Sequence, residues 1–94
     1  MAALYCGVPR IHGIPGAFHL FFYSFDCNEP VHVHVRRDRA TAKFWLTPVV
    51  ALADSHSFTP RDLNQVRDVI LQYQDRILEA WYEHCGQLPN DRIP

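Results

Sequence analysis

The chain has no long apolar run, no leader-like opening and no strong charge of either sign, and each absence closes off a class of protein. No stretch approaches the ~18 consecutive apolar residues that a membrane helix needs. The opening MAALYCGVPR has neither a charged n-region nor an extended apolar segment, so no secretory signal is expected. A formal net charge of −1 argues against an indiscriminate nucleic-acid coat. Cysteine is scarce as well: Cys6, Cys27 and Cys85 are odd in number, far apart and form no CxxC. That pattern predicts reduced thiols rather than a disulfide framework. Repeats and low-complexity tracts are missing. Together these absences predict a soluble, cytoplasmic protein.

What is present is enough for one domain. The 94 residues are 48% hydrophobic and 13% aromatic, and large rings help a short chain bury enough apolar area. A chain of this size buries only about 60–70% of its extended surface, so a partner protein or a second copy would add useful stability. Charge is unevenly placed: residues 1–50 hold five basic and three acidic side chains, residues 51–94 four basic and seven acidic. Arg36, Arg37, Arg39 and Lys43 are close together, and such a patch attracts phosphate even on a nearly neutral molecule.

The fold expected is α+β: a three- to four-stranded antiparallel sheet packed against one long C-terminal helix, kinked or straight. Residues 1–16, punctuated by Pro9, Gly13, Pro15 and Gly16, read as an irregular arm, and 17–54 as the sheet. Phe18–Ser24 favours a strand, and Asp26-Cys27-Asn28-Glu29-Pro30 is turn chemistry. Val31–Arg37 alternates strictly between apolar and polar, the signature of a strand with one buried face. Asp38–Arg39 makes a tight connection, residues 41–46 alternate again, and Val49–Ala53 suits a short fourth strand. Val33, Val35, Ala42, Phe44 and Leu46 then face the core with Leu20 and Phe22. The other face collects His19, Phe21, Tyr23, His32, His34, Arg36, Thr41, Lys43 and Trp45.

Residues 59–85 read as the helix. Thr59 suits the N-cap, Pro60 the first position and Asp62 the first turn. Apolar residues at Leu63, Val66, Ile70, Tyr73, Ile77 and Trp81 make one stripe. Gly86 and Pro89 end it, and 87–94 read as a flexible tail. Unbroken, this helix would be roughly 39 Å long, so a kink near Gln72–Gln74 is the alternative.

His32 and His34 carry the chemistry. Two residues apart on a strand, they leave the same face with Cα atoms roughly 6.6–6.8 Å apart. One target for such a pair is a phosphodiester: one imidazole accepts the 2′-hydroxyl proton of RNA and the other donates to the leaving oxygen. Arg36 and Lys43 would then bind the phosphate, and Trp45 or Tyr23 would stack an unpaired base. A second target is a metal, with Cys27 ahead of the pair and a fourth ligand from Glu29, Asp26 or His84, although this spacing fits no strong template. The plain alternative is a half-buried strand whose polar face packs under a loop or a partner subunit. The sequence reading assigns no metal and no cofactor. His12 and His56 read as loop residues without partners, His84 as a cap favoured by the helix dipole that can also approach the sheet, and Cys27 as an incidental thiol.

N-E-P-V-H-V-H-V (28–35), A-K-F-W-L (42–46) and I-L-E-A-W-Y-E-H (77–84) resemble a family of small bacterial proteins known as domain of unknown function number forty-one-sixty. Val31 stands where that family has a second proline. The resemblance implies that the gene lies beside one for another small protein, an arrangement similar to toxin–antitoxin pairs. The expectation is therefore a toxin-like subunit of a two-protein module. Its activity would be that of a metal-independent endoribonuclease, with His32 and His34 as acid and base and RNA as substrate. The alternative is a non-enzymatic binding or regulatory module in complex with its neighbour-encoded protein.

Overall fold

The computed structural model describes residues 10–86. Cys6, Pro89, the first part of the arm and the 87–94 tail lie outside them. The elements are β1 (His19–Phe21), a single 3-10 turn (Asp26–Asn28), β2 (His32–Arg37), β3 (Ala40–Trp45), β4 (Ala51–His56), α1 (Pro60–Gln72) and α2 (Gln74–Cys85).

The four strands form an antiparallel meander in the order β1-β2-β3-β4. β2 and β3 form where the two-residue alternation predicts them, because β-branched Val33 and Val35 are fully buried while their neighbours point the other way. The turn between them places Asp38 at φ 55°, a left-handed conformation that a short polar side chain tolerates. The register pairs His34 with Phe21 on one side and with Lys43 on the other, and Lys43 in turn with Asp54. A second row runs His19, Arg36, Thr41, His56. Thus His56 belongs to a strand, not a loop. The arm is not wholly irregular either: the Ile11 N–H donates to the Leu20 carbonyl at 2.9 Å, and Ile11 is buried.

Both helices cover one face of the sheet. Leu20, Phe22, Val33, Val35, Phe44 and Leu46 meet Val66, Ile70, Ile77 and Trp81 in a single core. α1 begins with a full capping box: the Asp62 N–H donates to Thr59 Oγ1 at 3.0 Å, and the Thr59 N–H donates to Asp62 Oδ2 at 3.2 Å.

The single long helix is corrected to two. Tyr73, at φ −108° and ψ 23°, separates α1 from α2. The Tyr73 N–H still reaches the Val69 carbonyl at 3.0 Å, and the Ile77 N–H reaches the Tyr73 carbonyl at 2.9 Å. The physical reason lies in burial. A straight rod would carry the second stripe of Ile77, Ala80 and Trp81 past a small sheet, whereas a break lets both stripes face one core. Gly86, at φ 77°, ends α2 by accepting the left-handed conformation. Among the described residues no helix is long and apolar enough to cross a membrane.

A second correction concerns the cysteines. Cys27 and Cys85 are joined in a disulfide, their Cα atoms 5.6 Å apart. The 3-10 turn lies against the end of α2, so two cysteines 58 positions apart in sequence become neighbours. The bridge withdraws the support that the cysteine count gave to a reducing compartment, and it removes Cys27 from any set of metal ligands.

Candidate functional site

The residues between β1 and β2 build the site. Asp26 opens the 3-10 turn and is buried at 2% exposure. Its Oδ2 accepts the Tyr23 N–H at 2.7 Å, so the side chain folds back under the turn toward the start of β2. There it meets both histidines: Asp26 Oδ1 lies 3.1 Å from His32 Nε2, and Asp26 Oδ2 lies 3.1 Å from His34 Nε2. The third member of the cluster is therefore a turn aspartate. By sequence Asp26 is only one of three candidates for a fourth ligand, because its place in a turn accounts for it without a ligand role.

The two imidazoles differ sharply in exposure. His32 is fully buried, with Trp45 at 5.5 Å and Trp81 at 5.3 Å between ring centroids. Trp81 arrives from α2, so the ring is flanked by one side chain of the sheet and one of a helix. The side chain of His34 remains 17% exposed, with Phe21 stacked on it at 5.5 Å and Tyr23 edge-on at 4.7 Å. Both rings leave the same strand face, as expected, but only one of them reaches the surface.

His32 Nδ1 lies 2.8 Å from the Pro30 carbonyl oxygen, which can only accept, so Nδ1 carries the proton. Nε2 is then left without a hydrogen-bond partner, the one buried side-chain polar atom in that state among the described residues. Asp26 Oδ1 is close to it but does not lie in line for a hydrogen bond.

Burial works against the Asp26 carboxylate. The Tyr23 N–H and the two histidines outweigh it, and the carboxyl sits below its ordinary value. Burial pushes His34 down, with Asp26 opposing. At neutral pH the site thus holds an ionised carboxylate beside an uncharged His34 ring.

The remaining expected site residues surround this cluster in separate places. Tyr23, His34 and Lys43 line a shallow hollow with Thr41, Asp54 and His56. Arg36 lies apart, over the Phe21 ring at 5.8 Å, in a hollow with Arg10 and His19. Trp45 covers His32 and carries the Lys43 ammonium 4.5 Å above its own ring. Lys43 Nζ donates to Glu29 Oε1 at 2.7 Å, so its charge is already answered. That bond in turn holds the Glu29 carboxyl below its usual range.

Three histidines have roles that sequence reasoning missed or left open. His56 Nε2 is 3.1 Å from Asp54 Oδ2. His84 does approach the sheet, stacking on Phe22 at 5.5 Å and placing Nε2 3.0 Å from the Tyr23 carbonyl. His12 offers its own carbonyl to Arg76 Nε at 3.0 Å.

Fold and site together define a small two-layer α+β domain with an Asp–His–His cluster where its turn, sheet and second helix meet. The chain belongs to the family described as Domain of unknown function (DUF4160), whose model matches residues 17–82. No curated protein and no solved structure matches it.

Proposed function

We propose that this chain is a binding and regulatory module that forms a complex with a small protein encoded beside it, in the toxin–antitoxin-like arrangement its family implies. It engages that partner through Phe25, Tyr23 and the adjoining open sheet face. The observation that carries this reading is Phe25: it is 64% exposed, yet its ring stacks on Tyr23 at 5.5 Å with the planes 1° apart. Burying a phenyl ring is worth about 1.5–3 kcal/mol, and tyrosine is among the residues enriched in interface hot spots. The unequal burial of His32 and His34 supports a binding role as well. An acid–base pair must touch the reacting atoms, and the His32 ring is covered on both sides.

Co-expression with the neighbouring gene product followed by size-exclusion chromatography tests this. The expected result is a heterodimer that Phe25→Asp weakens at least about tenfold, roughly 1.4 kcal/mol. A mixture from which the chain elutes alone, or pairs only with a second copy, sinks the reading.

The enzymatic alternative draws support from the hollow that brings His34, His56, Lys43 and Tyr23 together. In this reading the toxin-like activity is metal-independent RNA cleavage with His34 and His56, not His32, as the proton-transfer groups. Incubation with RNA in chelator distinguishes the two: fragments from wild type and none from His34→Ala favour the enzyme, and no fragments from either leave the binding role.

A further inference from the structure

We propose that Asp26, His32 and His34 form a binding site for a divalent first-row transition-metal ion of the zinc class, with one carboxylate oxygen and the two Nε2 atoms as the protein ligands. The proposal stands on the cluster's own geometry and does not depend on the docking reading.

The first observation is convergence. The three residues offer ligand atoms that all lie within 4.8 Å of one another, and a single oxygen, Asp26 Oδ1, lies 3.1 Å from His32 Nε2 and 3.3 Å from His34 Nε2. Zinc holds its nitrogen and oxygen ligands at about 2.0–2.2 Å, so ligand atoms around a tetrahedral ion lie roughly 3.3–3.6 Å apart. The two carboxylate–imidazole separations are near that size before any adjustment. Two imidazoles and one carboxylate also form a donor set that suits zinc, iron, cobalt and manganese, and it leaves a coordination position free for water or substrate.

The second observation is independent of the first. His32 Nε2 is fully buried, has no hydrogen-bond partner and is turned into the cluster. An unsatisfied buried polar atom costs about 1–3 kcal/mol, so its persistence needs a reason. With the Nδ1 proton donated to the Pro30 carbonyl at 2.8 Å, Nε2 carries a free lone pair 3.1 Å from Asp26 Oδ1 but not in line with it. Two acceptors 3.1 Å apart repel unless a cation sits between them. A carbonyl on the far nitrogen is also the arrangement by which metal-ligating histidines are fixed in tautomer and orientation.

Neighbouring charge fits. Lys43, the cross-strand neighbour of His34, is bound to Glu29, and Glu29 Oε1 lies 3.9 Å from His32 Nδ1. The local field therefore does not oppose a divalent ion to the extent that the basic residues of β2 and β3 suggest. The Cys27–Cys85 bridge closes the turn that begins at Asp26 onto α2, and the ligand set is held from both ends.

The test is dialysis of the full chain against micromolar zinc with elemental analysis, repeated with cobalt(II), whose visible absorption reports a low-coordinate nitrogen–oxygen site. Wild type should bind one ion per chain. His34→Gln and Asp26→Asn should weaken binding at least about a hundredfold, more than the 10–100-fold typical of outer partners. His12→Gln, on the surface, should bind as wild type does. Should the cluster variants fail to fold by circular dichroism, imidazole NMR signals of wild type decide: His32 and His34 must shift on adding zinc. Sub-stoichiometric binding by wild type, shifts confined to His12, His19 or His56, or undiminished binding by a folded His34→Gln would overturn the proposal.

Discussion

His32 and His34 show how far two identical residues on one strand face can diverge. One ring is sealed between Trp45 and Trp81, and the other keeps an edge toward solvent. Replacing His32 with alanine leaves a hole between two indoles and deprives Pro30 of its donor, which should lower stability by about 2–4 kcal/mol in urea unfolding. His34→Ala should cost about 1 kcal/mol, and equal losses would contradict the burial difference. The cluster also sets the acid response. Asp26 and His34 are both held below their ordinary values of 3.8 and 6.5. The unfolded chain therefore binds protons more readily than the folded one as pH falls, and stability rises with pH across that window. The contribution of His34 is complete above its ordinary value and is lost as pH falls through the folded one, while that of Asp26 is lost lower still. In chelator, the urea midpoint should fall from pH 7 to pH 5; a midpoint that rises over that range contradicts the direction for His34, and one that rises on further acidification below pH 4 contradicts that for Asp26.

At the scale of elements, the strands were legible because their pattern is local. Val33 and Val35 against His34 and Arg36, and Ala42 and Phe44 against Lys43 and Trp45, state a two-residue period that only a half-buried strand satisfies. Thr59, Pro60 and Asp62 marked the start of α1 equally well, and the capping box bears them out. Thr59→Ala removes the acceptor for the Asp62 N–H and should destabilise the domain by about 1 kcal/mol in thermal or urea unfolding; an unchanged midpoint would show that the cap contributes nothing. The break at Tyr73 falls inside the Gln72–Gln74 stretch where a kink was the alternative, and it was legible only from helix length, since neither proline nor glycine marks it. The burial of His32 was not legible at all, because Trp81 is brought to it by the packing of a helix from the far end of the chain. Asp26 was hidden for a different reason: an aspartate ahead of asparagine and proline is explained by turn propensity alone, and only the folded chain shows its carboxylate turned inward.

The whole molecule depends on a tie that composition did not suggest. The Cys27–Cys85 bridge joins the turn before β2 to the last residue of α2. Cross-links that close loops of this length typically add about 2–4 kcal/mol by restricting the unfolded chain. Dithiothreitol should lower the urea midpoint accordingly, and Cys27→Ser/Cys85→Ser should match the reduced wild type. If the double variant were as stable as the oxidised protein, the tie would carry no weight in the fold. A further consequence concerns damage. Arg39 lies exposed in the two-residue turn between β2 and β3, where trypsin can cut. The fragments would still be covalently one molecule. On a gel run without thiol a nicked sample would pass for intact, and only a reducing lane would reveal that the hairpin carrying both histidines had been severed.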